Sequence, residues 1–144
     1  MRALLDVNVL IALFDADHIQ HERAHAWFEA NQDQGWASCP LTENGLVRIL
    51  CHPHYSRVIH RTAAEVVADL HAVSGQTKHE FWPDDLTLRD SSIIRTDRIK
   101  GPRQITDIYL LALAVKHGGC LATFDGSIPV DAVVGTMPGH LVLL

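Results

Sequence analysis

The 144-residue sequence has no apolar run that approaches the roughly 20 residues needed to cross a bilayer. Its three cysteines, Cys39, Cys51 and Cys120, are far apart and form no C-x-x-C motif, which argues against a disulfide framework or a zinc knuckle. Asp6 interrupts the first apolar residues before a signal peptide could be completed. These absences predict a cytoplasmic protein with reduced cysteines and no membrane segment.

Internal repeats, low-complexity tracts and linkers are also absent, so residues 1–144 are predicted to form a single domain. An excess of basic residues is missing too, because the net charge is −5 with histidine neutral. This charge argues against unspecific coating of a polyanion. The basic residues are nevertheless uneven, and one group of five lies close together: Arg89, Arg95, Arg98, Lys100 and Arg103. Solvated helices and loops are the simplest explanation of that group.

Short apolar segments alternate along the chain with longer segments of helical periodicity. The predicted strands are 2–5, 35–39, 79–82, 120–124 and 141–144. The predicted helices are 7–14, 19–31, 40–52, 62–73, a polar helix within 87–98, and 105–117. This alternation predicts an α/β fold, a three-layer α/β/α sandwich whose central, mainly parallel sheet is covered on both faces. Three tryptophans are predicted to lie in the core or in a dimer interface: Trp27, Trp36 and Trp82.

Four acidic residues fall where a parallel sheet places its functional site, beyond the carboxyl ends of the strands. Asp6 and Asp125 directly follow predicted strands, whereas Glu43 and Asp107 lie in the first turns of predicted helices. Taken alone, each acid is typical of a turn or of the positive end of a helix. The coincidence of four acids on one edge of the sheet predicts a functional cluster.

A cluster of four carboxylates favours a bound cation, because the like charges otherwise repel one another. Mg²⁺ and Mn²⁺ prefer oxygen ligands of this kind. Such a site can activate a water and stabilise a leaving oxygen, which suits the hydrolysis of phosphodiesters. Asn8 and Thr123 lie two residues from Asp6 and Asp125, respectively, and are expected to support those carboxylates.

Four segments of the chain resemble motifs of the PIN-domain nucleases, above all the VapC-type toxins of bacterial toxin–antitoxin pairs. They read DVNVLIAL at 6–13, TENGLVR at 42–48, ITDIYLLALA at 105–114 and TFD at 123–125. The resemblance covers essentially the whole chain, in the family's order, and implies one PIN domain with the PIN-like α/β/α fold.

The resemblance also implies a function and a set of site residues. It implies an endoribonuclease that cuts RNA with Mg²⁺ or Mn²⁺, forms a homodimer, and is inhibited by a cognate antitoxin whose C-terminal segment occupies the active-site groove. The positions that match the family's acids, as catalytic and metal-binding residues, are Asp6, Glu43, Asp107 and Asp125. Asn8 and Thr123 match its supporting polar positions.

A zinc metallopeptidase is an alternative, because His21-Glu22-Arg23-Ala24-His25 spells the helical H-E-x-x-H signature. The extended form of that motif is missing, since Phe28 stands where glycine is required and Asn31 where a third histidine would be.

Two further alternatives are not enzymes. A phosphoacceptor receiver domain needs adjacent acids after its first strand and a late lysine, but Leu5 precedes Asp6 and Lys116 lies within a predicted helix. A catalytically inactive PIN-like module that only binds a partner would give no reason to keep four mutually repelling acids.

Overall fold

Five short strands form the centre of the structure, a computed structural model that describes residues 1–144. The strands are β1 (Ala3–Leu5), β2 (Trp36–Ser38), β3 (His79–Phe81), β4 (Cys120–Thr123) and β5 (Leu141–Leu143). The helices are α1 (Val7–Phe14), α2 (His21–Asn31), α3 (Pro40–Leu50), α4 (Ala63–Gln76) and α5 (Ile105–Lys116). None of these helices combines the length and the apolar character that crossing a membrane requires.

All the strand pairings are parallel, and the order across the sheet is β3-β2-β1-β4-β5. Ala3 in the central strand β1 is in register with Trp36 on one side and Cys120 on the other. Because parallel strands all point the same way, the residues that follow β1, β2 and β4 meet at one edge of the sheet. The predicted parallel sheet is confirmed.

Helices cover both faces of the sheet, as predicted for a three-layer sandwich. Leu4 and Leu121 belong to a core cluster of 15 buried residues on the face covered by α5. Leu5 and Ala122, one residue further along each strand, belong to a cluster of 13 buried residues with α1, α3 and α4. This alternation follows from the two-residue period of a strand, and two cores of similar size show that neither face is left open.

Local sequence fixes where two helices begin at the carboxyl edge of the sheet. Asp6 caps α1, because its Oδ1 accepts a hydrogen bond of 2.7 Å from the backbone N–H of Val7. Pro40 opens α3, where its missing N–H is not needed. The Thr42 hydroxyl accepts a bond of 3.0 Å from the backbone N–H of Cys39, the residue before that proline. Both helices therefore start directly after a strand.

The prediction of a helix within 87–98 is wrong. That segment consists of turns, with a single 3₁₀ turn at Thr96–Arg98. Asp90 accepts hydrogen bonds from both the backbone N–H and the hydroxyl of Ser92, and such local bonds compete with helix formation. Ile94 is fully buried and forms an isolated antiparallel bridge with Val133, so tertiary contacts hold the segment extended there.

Other predicted boundaries differ from the structure by only a few residues. The helix predicted at 62–73 continues to Gln76, past Gly75, and the helix predicted from residue 19 begins at His21. Trp36 and Trp82 are 3% and 2% exposed, which confirms that they lie in the core. Ends of helices are the least reliable feature of any sequence pattern, because capping and packing decide them together.

A close contact between α1 and α3 leads to a prediction about stability. A Cβ added at Gly45 would lie 2.8 Å from Cγ2 of Val7. Alanine is favoured over glycine in a helix by ~1 kcal/mol, whereas overpacking costs ~1–3 kcal/mol. We therefore expect Gly45→Ala to lower the free energy of unfolding by about 1 kcal/mol, as measured by urea denaturation.

Gly75→Ala in α4 is the matched control, because the space around its added Cβ is empty. We expect this variant to be more stable than the wild type by ~0.5–1 kcal/mol. Equal stability gains in both variants would show that α1 and α3 are not closely packed at Gly45.

Candidate active site

Asp6 lies at the centre of the carboxyl edge of the sheet and is only 6% exposed. Its Oδ1 accepts the backbone N–H of Val7 at 2.7 Å. Its Oδ2 accepts a bond of 2.6 Å from the Thr123 hydroxyl and one of 3.1 Å from the Asn8 amide. These bonds fix the orientation of the carboxylate. Burial raises the pKa of Asp6 and the nearby charge of Asp125 adds to that rise, whereas the hydrogen bonds act in the opposite direction.

Asn8 and Thr123 connect the first turn of α1 to the end of β4. The Asn8 amide donates to the Thr123 hydroxyl oxygen at 3.1 Å, and the Asn8 carbonyl accepts the backbone N–H of Phe124 at 3.2 Å. The Thr123 oxygen also accepts the backbone N–H of Asp125 at 3.0 Å. The two polar residues selected from the sequence thus lie against Asp6 and hold the Asp125 loop beside it.

Asp125 is held by a residue that the sequence analysis missed. The backbone N–H and the hydroxyl of Ser127 donate to Oδ1 of Asp125 at 2.8 and 2.6 Å. These bonds favour the charged form and lower the pKa of Asp125. Asp-x-Ser is a common turn signature, so the spacing of these two residues could have revealed this contact.

Asp107 comes from the other face of the sheet, in the first turn of α5. Partial burial, followed by the charges of Asp6 and Asp125, raises the pKa of Asp107 to about 6. The charges that act on Asp107 come from Asp6 and Asp125, so the three aspartates lie within electrostatic reach of one another, although Asp6 and Asp125 are more than 100 residues apart in the sequence. The structure therefore places Asp6, Asp107 and Asp125 at the same edge of the sheet.

Glu43 lies at the same edge of the sheet, but its side chain contacts a different set of residues. Its Oε1 accepts a bond of 2.6 Å from the Ser38 hydroxyl, which also contacts Nε2 of His79 at 2.7 Å. Burial lowers the pKa of His79, and the Glu43 charge opposes that effect. Glu43 does not contribute to the pKa shifts of the aspartates. The hydrogen-bond partner of Glu43 is therefore Ser38, and Glu43 forms no hydrogen bond with the three aspartates.

Ser38 and His79 are not among the site residues predicted from the sequence. A buried serine at the end of an otherwise apolar strand could have indicated a polar contact near Glu43. His79 carried no such signal, because only the pairing of β2 with β3 brings it to Ser38.

The chemistry of the donors fits a hard divalent cation. The four predicted acids all offer carboxylate oxygens; they are Asp6, Glu43, Asp107 and Asp125. None of these carboxylates lies within ion-pair distance of a lysine, arginine or histidine. No three acidic, histidine or cysteine side chains are arranged closely enough to enclose an ion by themselves. Mg²⁺ suits such an incomplete set, since it keeps several waters and uses few protein carboxylates.

The histidines of the H-E-x-x-H segment lie on α2, outside this cluster. Nδ1 of His21 donates to the carbonyl oxygen of Ala12 at 2.7 Å. His25 lies 3.6 Å from a carboxylate oxygen of Glu29, one turn further along the helix. Both contacts are typical of a partly exposed amphipathic helix.

Comparison with known proteins places this arrangement in a family. The PIN domain family matches residues 3–130. The chain is 49% identical over 145 residues to Ribonuclease VapC44 of Mycobacterium tuberculosis, with all of both chains covered. It is 42% identical over 135 residues to Ribonuclease VapC39 of the same organism, covering 94% of this chain and 96% of the relative.

Solved structures agree in fold. The crystal structure of Mycobacterium tuberculosis VapC20, described as a Sarcin–Ricin loop cleaving toxin, superposes with a TM-score of 0.62 at 15% identity, covering 94% of this chain and 99% of the other. VapBC2 from Rickettsia felis, bound to a DNA fragment from their promoter, gives a TM-score of 0.61 at 12% identity, covering 100% and 98%. From the family match and the full-length identity together, this chain belongs to the PIN-domain family and, within it, to the VapC ribonucleases.

Proposed function

We propose that this protein is a toxin endoribonuclease that hydrolyses RNA with a Mg²⁺ or Mn²⁺ ion bound at Asp6, Asp107 and Asp125, with Glu43 as the fourth acid of the site. The observation that carries the proposal is that three aspartates lie within electrostatic reach of one another and none of them forms an ion pair with a cationic side chain. Like charges held close together repel one another, and a bound divalent cation offsets that repulsion. The membership of the chain among the VapC ribonucleases supports the same reaction.

The chain's own residues supply rigid, oriented oxygens. Asp6 is fixed by Thr123 and Asn8, so its carboxylate needs no reorganisation when the substrate binds. Asp125 is fixed in the same way by Ser127. When bound, a divalent cation at such oxygens activates a water for attack on phosphorus and stabilises the leaving oxygen.

Cationic residues near the site support RNA as the substrate. The guanidinium carbon of Arg23 lies 5.7 Å from the centre of the Phe124 ring, which directly precedes Asp125. Lys100 and Arg103 are exposed, take part in no ion pair, and lie in the segment that leads into α5. Positive charges here can contact phosphates despite the overall net charge of −5.

We further propose that the protein acts in the cytoplasm as a homodimer and binds a cognate antitoxin whose C-terminal segment occupies the active-site groove. The VapBC2 complex from Rickettsia felis, a structure of the same fold, supports the antitoxin partner. A second surface that suits a partner, separate from the four acids, is an open cleft of about 670 Å³ between the α1–α2 and α3–α4 loops. Two side chains on its rim, Ile19 and Ile59, are 96% and 54% exposed.

The direct test incubates the purified protein with total RNA, with and without Mg²⁺ or Mn²⁺. We expect defined fragments only when a divalent cation is present, and no cleavage after chelation with EDTA. Fragments that appear equally in EDTA would refute the metal-dependent mechanism, and no fragments under any condition would favour an inactive binding module.

The same preparation tests the zinc peptidase, which the family comparisons do not favour. That alternative requires loss of activity on zinc-selective chelation together with full activity in Asp6→Ala. We expect the opposite pattern, because the H-E-x-x-H helix lies outside the aspartate cluster.

A further inference from the structure

Three side chains from separate elements form a continuous hydrogen-bonded chain that leads from the start of β3 to the carboxyl edge of the sheet. Glu43 belongs to the first turn of α3, Ser38 is the last residue of β2, and His79 is the first residue of β3. The Ser38 oxygen lies 2.6 Å from Oε1 of Glu43 and 2.7 Å from Nε2 of His79. Ser38 is fully buried, and these two residues are its only side-chain partners.

The direction of the bonds follows from the number of available protons. A serine hydroxyl has one proton, and an ionised carboxylate can only accept a hydrogen bond. The Ser38 proton therefore goes to Glu43, and His79 must donate its Nε2 proton to the Ser38 oxygen. A hydroxyl-to-carboxylate bond of 2.6 Å is short, as is usual for a charge-assisted hydrogen bond.

The result is a carboxylate with one oxygen fixed and the other available. Oε1 of Glu43 accepts from Ser38, whereas Oε2 takes part in no side-chain hydrogen bond of the structure. The position of Ser38 is itself fixed, because it lies in β2 and its carbonyl accepts the backbone N–H of Trp82 at 2.8 Å. Glutamate is flexible, so an anchored Glu43 loses less conformational freedom when its second oxygen takes a ligand.

We propose that Ser38 and His79 are positioning residues that hold Glu43 for the divalent cation, with Oε1 bonded to Ser38 and Oε2 presented to the ion. The inference rests on the proposed function, since it concerns the fourth acid of that cation site. Neither Ser38 nor His79 touches the substrate or the ion. They act only through Glu43, as the outer hydrogen-bond partners of metal ligands generally do.

A purely structural role is the competing explanation, because the same histidine packs on a core tryptophan. The rings of His79 and Trp36 are 4.3 Å apart, and Nε1 of Trp36 donates to the Thr77 hydroxyl at 2.8 Å. Loss of either contact would destabilise this end of the sheet. Stability alone thus cannot separate the two roles, but cation affinity can.

The experiment measures Mn²⁺ binding to the full-length, RNA-free protein by electron paramagnetic resonance. Ser38→Ala and His79→Phe each remove a bond of the chain, and phenylalanine keeps the ring on Trp36. We expect Mn²⁺ affinity to fall about tenfold in Ser38→Ala and by roughly threefold to tenfold in His79→Phe. We expect His79→Gln, which retains an N–H donor, to recover most of the lost affinity.

Thr77→Val is the matched control, because it removes the bond to Trp36 and leaves the chain to Glu43 intact. We expect it to lower the melting temperature without changing Mn²⁺ affinity. Wild-type affinity in Ser38→Ala and His79→Phe would overturn the inference, and so would an increase in affinity, which would mean that the chain holds Glu43 away from the ion.

An Asp6→Asn variant separates this inference from the proposed function. If Asp6→Asn binds Mn²⁺ as the wild type does, the cation site itself has been misplaced. If Asp6→Asn loses binding while the Ser38 and His79 variants keep it, only the positioning role fails.

Discussion

Asp6→Asn should abolish RNA cleavage, with the initial rate in Mn²⁺ lowered by about 10³-fold or more. The substitution keeps the size of the side chain and removes the charge that, in the proposed function, binds the cation. Charge stabilisation by a bound cation amounts to several kcal/mol, and ~4 kcal/mol corresponds to a factor of about 10³ in rate. The measurement is the initial rate of cleavage of a labelled RNA, compared at equal protein concentration.

Asp33→Asn is the control for this result. Asp33 is exposed, lies on the surface after α2, and forms only an exposed ion pair with Lys78. Exposed pairs contribute little to stability, so the variant should cleave RNA at the wild-type rate. Cleavage by Asp6→Asn within a factor of about ten of the wild type would contradict the assignment of Asp6, since several kcal/mol of charge stabilisation predicts far more.

Asp107→Asn should also inactivate the enzyme, yet make the metal-free protein more stable above pH 6. The folded protein raises the pKa of Asp107 from its ordinary 3.8 to about 6, so folding favours the protonated form. That contribution to stability is fully present below pH 3.8 and is lost as the pH rises through about 6. Asparagine stays neutral and avoids this loss.

The size of the effect follows from the same pKa difference. A difference of that size is worth ~3 kcal/mol if nothing attenuates it. Because Asp107 is partly exposed, solvent screening reduces the expected gain to about 1 kcal/mol. Urea unfolding in EDTA should show the variant to be more stable at pH 7.5 and equal to the wild type near pH 4.

Adding Mn²⁺ should reverse the order at pH 7.5, because an ion that binds only the folded state stabilises the wild type more than the variant. If the variant is less stable than the wild type in EDTA at pH 7.5, the charge of Asp107 does not destabilise the metal-free folded protein, and the prediction is wrong. Loss of activity together with a gain in stability is the pattern expected of a binding residue that the fold does not need.

Local signals in the sequence were sufficient for most of the fold. The apolar runs before Asp6 and Asp125 predicted β1 and β4, because buried parallel strands are short and apolar throughout. The polar helix predicted within 87–98 does not form, because the local hydrogen bonds of Asp90 and the bridge from Ile94 to Val133 hold the segment in another conformation. A sequence pattern within one segment does not indicate contacts with residues that are distant in the chain.

The sequence by itself determined which acids follow strands and which open helices, and it therefore predicted that Asp6, Glu43, Asp107 and Asp125 would lie at one edge of the sheet. It did so because residue order and the direction of parallel strands dictate which ends coincide. Only the tertiary structure decided the hydrogen bonds around them. The contact between Ser38 and His79 spans 41 residues and that between Asn8 and Thr123 spans 115, and such contacts depend on which strands pair and in which register.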